Sequence, residues 1–276
     1  MGESTPQSAL PAALAVADCR AVRAFPQFVA QQIGLIGAPR LSLAAIPRAN
    51  GRTMNILVVD VGGTHVKILA TGKKEKREFA SGPRLTAPQM VSRVRKLAQG
   101  WNYQVVSIGY PGPVLHNRPV AEPRNLGSGW MGFNFEEAFK RPTKIVNDAA
   151  MQALGSYRNG KMLFLGLGTG LGSTLIVDGI LEPMELGHLP YKKGTYEDYV
   201  GVRGLRQFGK KQWRRHVADV VARLIAALEP TDVVIGGGNV SKLKELPLGC
   251  RAGDNANAFT GGFRMWELRR RARLHG

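Results

Sequence analysis

Three glycine-rich turns, each closing an apolar run, and an Asn-Asp pair between them are the residues best equipped for chemistry in this 276-residue chain. Ile56-Leu-Val-Val-Asp60 leads into Val61-Gly62-Gly63-Thr64, after which His65–Ala70, carrying Lys67, resumes as a β-type run. Glycine lets a backbone approach a ligand closely, and the free N–H groups of such a turn suit phosphate. The same Asp-x-Gly-Gly pattern also makes a plain hairpin turn. The second turn, Leu165-Gly-Leu-Gly168-Thr169-Gly170-Leu-Gly172-Ser173, sets glycines at every second position between the β-type runs Met162–Leu165 and Thr174–Val177. It has neither the G-x-G-x-x-G spacing of a dinucleotide fingerprint nor the Gly-Lys-Ser/Thr of a Walker loop. So many glycines weaken an ordinary strand hairpin, which favours a ligand contact as their reason. The third turn is Val233-Val-Ile235-Gly236-Gly237-Gly238-Asn239. A strand followed by a glycine turn, three times over, predicts phosphate or nucleotide sites at the carboxyl ends of strands.

Between the turns, Thr143–Val146 predicts a strand, and Asn147-Asp148 stands at the head of a predicted helix, Ala149–Tyr157. Asn and Asp are favoured helix caps. A carboxylate presented at a strand end can also act as a general base, and the two roles are compatible. Further on, Glu185-Leu-Gly-His188 and Gly194-Thr-Tyr-Glu197-Asp198 offer carboxylates and an imidazole, good partners for sugar hydroxyls. Taken alone, that cluster describes a solvated surface equally well.

Positioning these groups takes alternating strands and helices, and that texture begins only at Met54. Residues 1–53 hold five Arg, no Lys, two acidic residues and five prolines, a net +3 out of the chain's +18. This Ala-rich stretch reads as an extension outside the fold, either disordered or not native to it, with Met54 as the true start. Its apolar run Ala9–Ala17 has no basic residue ahead of it and contains Pro11, unlike a signal peptide. Pro6 stands where a myristoylation signal needs Ser or Thr. Residues 28–46 only faintly suggest a helix-turn-helix. Two cysteines, Cys19 and Cys250, cannot build a disulfide framework or a four-ligand zinc site alone. The apolar runs fall far short of the ~20 residues of a membrane-spanning helix. The positive charge implies a polyanionic partner without naming it.

The ordered set Asp60–Thr64, Ile108-Gly-Tyr-Pro-Gly-Pro113, Asn147-Asp148-Ala149, Leu165–Ser173, Glu185–His188 and Gly236–Gly238 resembles the repressor/ORF/kinase family of sugar kinases, over essentially residues 54–276. Asp60–Lys67, Asn125–Trp130 (Asn-Leu-Gly-x-Gly-Trp) and Glu185–Tyr191 are most similar to the family's polyphosphate glucokinase branch. The resemblance implies an α/β, actin-like ATPase (ribonuclease H-like) fold with two lobes around a central cleft. The small lobe would take residues 54–146 and the large lobe 147–276, with a last helix at about 254–273 packing back on the small lobe. It implies Asp148 as the base for the 6-hydroxyl of glucose, and Asn147, Glu185, His188, Glu197 and Asn125 as sugar ligands. Asp60, Gly62, Gly63, Thr64, Lys67, Gly168, Thr169, Gly170, Gly237 and Gly238 would hold the phosphoryl donor, Asp60 acting through Mg²⁺ or water, with its contact to Mg²⁺ indirect. Leu189–Glu197 lacks the cysteine-rich zinc segment of many relatives, so no structural zinc is expected. A cytoplasmic homodimer of carbohydrate metabolism is implied, with no membrane and no specific nucleic acid as partner.

Either polyphosphate or ATP fits as donor. Lys73, Lys74, Lys76 and Arg77, then Lys192 and Lys193, then Lys210, Lys211, Arg214 and Arg215 could form a basic track for a long anion, or plain solvated charge. Arg269-Arg-Arg-Ala-Arg273 suits a helix end. Gly236–Asn239 resembles the family's nucleoside-side turn, which keeps ATP open. A sugar-responsive repressor would need a DNA-binding domain ahead of Met54, where the segment is short and poorly patterned. A general nucleic-acid binder would need aromatic residues interleaved with its basic ones, which are lacking.

Overall fold

Short apolar runs that end in glycine become strands because no stretch of them is long enough, or periodic enough, for a buried helix. The computed structural model describes residues 48–49, 52–254 and 256–267. The weak helix-turn-helix at 28–46, Cys19 and the arginines at 269–273 lie outside the described residues. A short antiparallel ladder, Arg48–Ala49 with Arg52–Thr53, stands just ahead of Met54, inside the segment the sequence sets apart.

The first sheet holds β1 (Ile56–Val61), β2 (His65–Ala70), β3 (Arg77–Ala80), β4 (Val105–Tyr110) and β5 (Thr143–Asn147). Its order is β3-β2-β1-β4-β5, with β1, β2 and β3 an antiparallel meander and β4 and β5 parallel to β1. Between β3 and β4 runs α1 (Ala87–Leu97), and between β4 and β5 runs α2 (Phe135–Phe139). After β5 comes α3 (Asp148–Ser156), then β6 (Lys161–Leu167), β7 (Leu171–Val177) and β8 (Ile180–Met184). Two helices follow, α4 (Tyr196–Val200) and α5 (Val202–Leu228), then β9 (Asp232–Gly236), β10 (Cys250–Ala252) and α6 (Asn257–Arg264). The second sheet is ordered β8-β7-β6-β9-β10, with the same pattern of antiparallel and parallel pairs. The fold therefore repeats one topology, and the β1–β2 turn and the β6–β7 turn occupy equivalent places in the two sheets.

Between the sheets lies α3, with α6 packed against it. One side of α3, through Met151 and Leu154, packs with Ile56, Val58, Ala258 and Phe259. Its other side, through Ala149 and Ala153, packs together with Tyr157 just beyond its end on Met162, Phe164, Ile176 and Val234. Two glycines let α3 and α6 cross closely: a Cβ on Gly261 would run into the Met151 carbonyl, and one on Gly155 into the Asn257 carbonyl. Helix α6 ends at Arg264 and packs against β1 and β4 of the first sheet. Helix α5 is interrupted at Gly209, whose φ of 67° is open to glycine at little cost. No described helix is long and apolar enough to cross a membrane.

Candidate functional site

Asp148 is the first residue of α3, and the Asn147 side chain caps that helix by accepting from the N–H groups of Ala149 (2.9 Å) and Ala150 (3.3 Å). The helix begins one residue earlier than its sequence suggests and ends at Ser156, with Tyr157 extended beyond it. The head of α3 sits between the sheets because two glycines make room. A Cβ on Gly109 of β4 would run into the Met151 side chain of α3, and one on Gly172 of β7 would lie 2.9 Å from the Ala149 Cβ. Burial pushes the Asp148 carboxyl up to about 7, and the charges of Asp60 and Glu185 add to the push while the Ala149 N–H opposes it. The residue as a whole keeps some contact with solvent. A carboxyl of that kind can exchange a proton near neutral pH.

Asp60, the last but one residue of β1, stands opposite Lys67 on β2 and opposite Gly109 on β4, which in turn faces Val146 on β5. Two strand spacings, about 10 Å, thus separate the Asp60 backbone from the strand that delivers Asn147 and Asp148. Burial raises the Asp60 carboxyl, and Lys67 and then Lys76 offset it. Lys67 Nζ stands 3.9 Å from Asp60 Oδ2. In the β1–β2 turn, Gly62 N–H bonds the His65 carbonyl at 3.0 Å, and the Ser81 hydroxyl donates to the Gly62 carbonyl at 2.6 Å. The amides of Gly63 and Thr64 make no hydrogen bond among the described residues.

The β6–β7 turn is narrower than the glycine run suggests. Gly166 and Gly172 belong to the strands and face each other in register, leaving Gly168-Thr169-Gly170 as the turn. Gly172 thus has a packing reason, the approach of α3, in place of the ligand contact expected for every glycine of the run. The amides of Thr169 and Gly170, like those of Gly63 and Thr64, have no partner among the described residues. Gly168 has open space where a Cβ would stand, and so does Gly238. Gly237 is different: its φ is 89°, and a Cβ there would press on the Leu167 backbone. Asn239 ties the third turn to the second, its N–H bonding the Leu167 carbonyl at 3.0 Å and its amide the Gly168 carbonyl at 2.9 Å.

On the other side of the cleft, Asn125 packs against Gly63, where a Cβ would meet the Asn125 Cβ at 3.1 Å. Glu197, on α4, lies against Gly170 and Gly187. Its Oε1 is 3.8 Å from His188 Nε2 and 3.0 Å from the Arg124 guanidinium. Glu185 precedes the short helical turn Leu186–His188 and accepts the His188 N–H on its carbonyl at 3.1 Å. The structure thus joins Asp60, Lys67, the first two glycine turns, Asn125, Asp148 and Glu197 through direct neighbours, with the third turn attached by Asn239. Asn147 belongs to the group with most of its amide committed, since its Nδ2 also donates to the Gly112 carbonyl at 3.2 Å.

Three of the basic residues that could form a track have partners within the fold. Arg77 is held by the carbonyls of Leu97 and Gln99 and covers the Trp101 ring at 4.3 Å, and Lys76 pairs with Glu78 at 2.7 Å. Arg214 Nε donates to the Lys242 carbonyl at 2.8 Å, while Lys210, Lys211 and Arg215 are exposed. Two residues escape sequence reasoning. Glu122 accepts the N–H groups of Gly129, Trp130 and Met131, which holds its carboxyl below the usual range and shapes the loop bearing Asn125. Arg124 adjoins Asn125, but nothing in the chain announces its pairing with a residue 73 positions away.

Comparison with known proteins bears on this arrangement. The polyphosphate glucokinase of Mycobacterium tuberculosis is 27% identical over 206 residues, covering 67% of this chain and 77% of that protein. The inorganic polyphosphate/ATP-glucomannokinase of Arthrobacter sp. strain KM superposes with a TM-score of 0.66 at 20% identity, over 78% of this chain and 99% of that one. A ROK family glucokinase from Streptomyces griseus, solved with glucose and AMPPNP, gives 0.63 at 17% identity, over 76% and 98%. These likenesses show the actin-like ATPase fold expected from the sequence. The ROK family pattern matches residues 56–197, the stretch from β1 to Glu197 that carries the first two glycine turns and Asp148, and the chain belongs to that family.

Proposed function

We propose that this chain is a sugar kinase that moves a phosphoryl group from polyphosphate or ATP to the 6-hydroxyl of glucose. The observation that carries the reading is Asp148: a carboxyl raised to about 7 at the head of α3, between two turns whose amides have no partner among the described residues. The names of the relatives, a polyphosphate glucokinase among them, support the choice of substrates.

In this reading Asp148 accepts the proton of the 6-hydroxyl as the sugar oxygen bonds to phosphorus and the donor's bridging P–O bond breaks. Phosphoryl transfer of this loose kind asks for positioning and charge stabilisation more than covalent help. The amides of Gly63, Thr64, Thr169 and Gly170 would hold donor oxygens, and Lys67 would neutralise charge developing on them. The open space at Gly168 and Gly238 leaves the donor room to approach the backbone. Asn125, Asn147, Glu185, His188 and Glu197 would hold the sugar hydroxyls, Asn147 through its remaining amide hydrogen. A partly covered carboxylate beside turns that would hold phosphate oxygens suits Mg²⁺, which takes one or two carboxylates plus phosphate oxygens. Asp60 would hold that ion, which when bound supplies neutralisation of the phosphoryl charge.

A donor panel with glucose tests the proposal. Glucose 6-phosphate should form from polyphosphate, ATP or both, with Mg²⁺ present. No glucose-dependent transfer from either donor rejects the reading.

A further inference from the structure

The Arg124–Glu197 pair joins two segments that the candidate site needs together. Arg124 lies on the loop that presents Asn125, and that loop is braced. Glu122 takes three of its amides, the Gly127 N–H bonds the Leu85 carbonyl at 3.0 Å, and Trp130 is fully buried with its indole N–H on the same carbonyl at 3.2 Å. Glu197 lies on α4, and its side chain is only 20% exposed, whereas that of Arg124 is 71% exposed. The guanidinium therefore reaches in from solvent to a covered carboxylate, unlike a pair of waving surface side chains. The two oxygens of Glu197 face different parts of the site. Oε1 takes Arg124 at 3.0 Å and stands 3.8 Å from His188, while Oε2 lies where a Cβ on Gly170 would go. Rotating the carboxylate would break contact with both the sugar side and the donor turn.

We infer that Arg124 is a positioning residue that fixes the orientation of Glu197, and so ties the Asn125 loop to the segment bearing His188 and the second glycine turn. The inference rests on the proposed sugar-kinase reading for its functional consequence. Its ligand is the hexose, held between Asn125 and Glu197, and loss of the tie weakens hexose binding more than it slows transfer.

The test compares the full-length chain with Arg124→Gln and Arg124→Lys by calorimetric titration with glucose and by turnover at saturating sugar. Arg124→Gln should weaken glucose binding about tenfold, the scale of a lost hydrogen bond to a charged group. Turnover at saturation should fall no more than ~threefold, and Arg124→Lys should recover part of the affinity. Unchanged glucose affinity in Arg124→Gln overturns the inference, and so does a loss confined to turnover. Urea unfolding adds a readout that needs no sugar. The midpoint shift caused by Arg124→Gln should shrink in a Glu197→Gln background, and equal shifts in both backgrounds overturn the tie. If the unaltered chain binds no hexose, the sugar-kinase reading fails, while the urea comparison still decides whether Arg124 holds Glu197.

Discussion

Asp148 carries two consequences of one burial. With its carboxyl raised from 3.8 to about 7, the folded state holds this proton more tightly than the unfolded chain. Its contribution to folding is then complete below the ordinary carboxyl value and is lost as pH rises through about 7. Replacing it with Asn removes the buried ionised form. Asp148→Asn should therefore unfold at higher temperature than the unaltered chain at pH 8, and the gap should narrow by pH 5. Melts that differ by the same amount at both pH values would contradict this. The kinetic counterpart has the opposite sense: a base must be ionised to accept a proton, so kcat/KM for glucose should fall as pH drops below about 7. A pH–rate profile flat from 5 to 8 would remove Asp148 from that role.

Among the elements, α3 and the turns beside it depend on glycines for two separable reasons. Gly172 has no room for a side chain because Ala149 stands there, whereas Gly168 has open space. Gly172→Ala should displace the head of α3 by a few tenths of an ångström and lower kcat about tenfold. Gly168→Ala should leave stability within ~0.5 kcal/mol and raise the donor KM, because it obstructs only an approaching ligand. The reverse pattern, measured by melts and donor titration, would exchange their roles. At the α3–α6 crossing, Gly261→Ala should cost about 2 kcal/mol and lower the melting temperature by about 5 °C. An unchanged melting temperature would mean that the helices can part without loss.

At this scale the sequence is readable where chemistry is local. The strand His65–Ala70, the Asn147 cap and the glycine turns follow from residue type and spacing, and so does the expectation that Asp148 stands at a strand end. The run from Leu165 to Ser173 misleads, because a glycine required by a helix packed from elsewhere is indistinguishable from one required by a ligand. Likewise Arg77, one of several basic residues in a row, is occupied by two carbonyls and an indole that only the tertiary fold brings near. Glu122 and Arg124 are hidden for the same reason: their partners are fixed by the fold, across gaps that no local period spans.

Over the whole molecule, one strand topology used twice sets two glycine turns at equivalent positions, with α3 between the sheets delivering Asp148. The charge of +18 gains a narrower meaning, since several of the described basic residues are already bonded within the fold. If polyphosphate is held by about three cationic contacts, raising salt from 50 to 200 mM should increase its KM roughly 20- to 40-fold, and that of ATP by less. Equal salt dependence for the two donors would contradict an extended anion site. The central claim is phosphoryl transfer to a sugar with Asp148 as the base, and the most direct measurement compares glucose 6-phosphate formation by the unaltered chain and by Asp148→Asn, with glucose affinity measured on both. The account predicts product from the unaltered chain, at least a 100-fold slower rate in the variant, and glucose affinities within a few-fold of each other. Equal rates in the two proteins, or no glucose-dependent product from the unaltered chain, would contradict it.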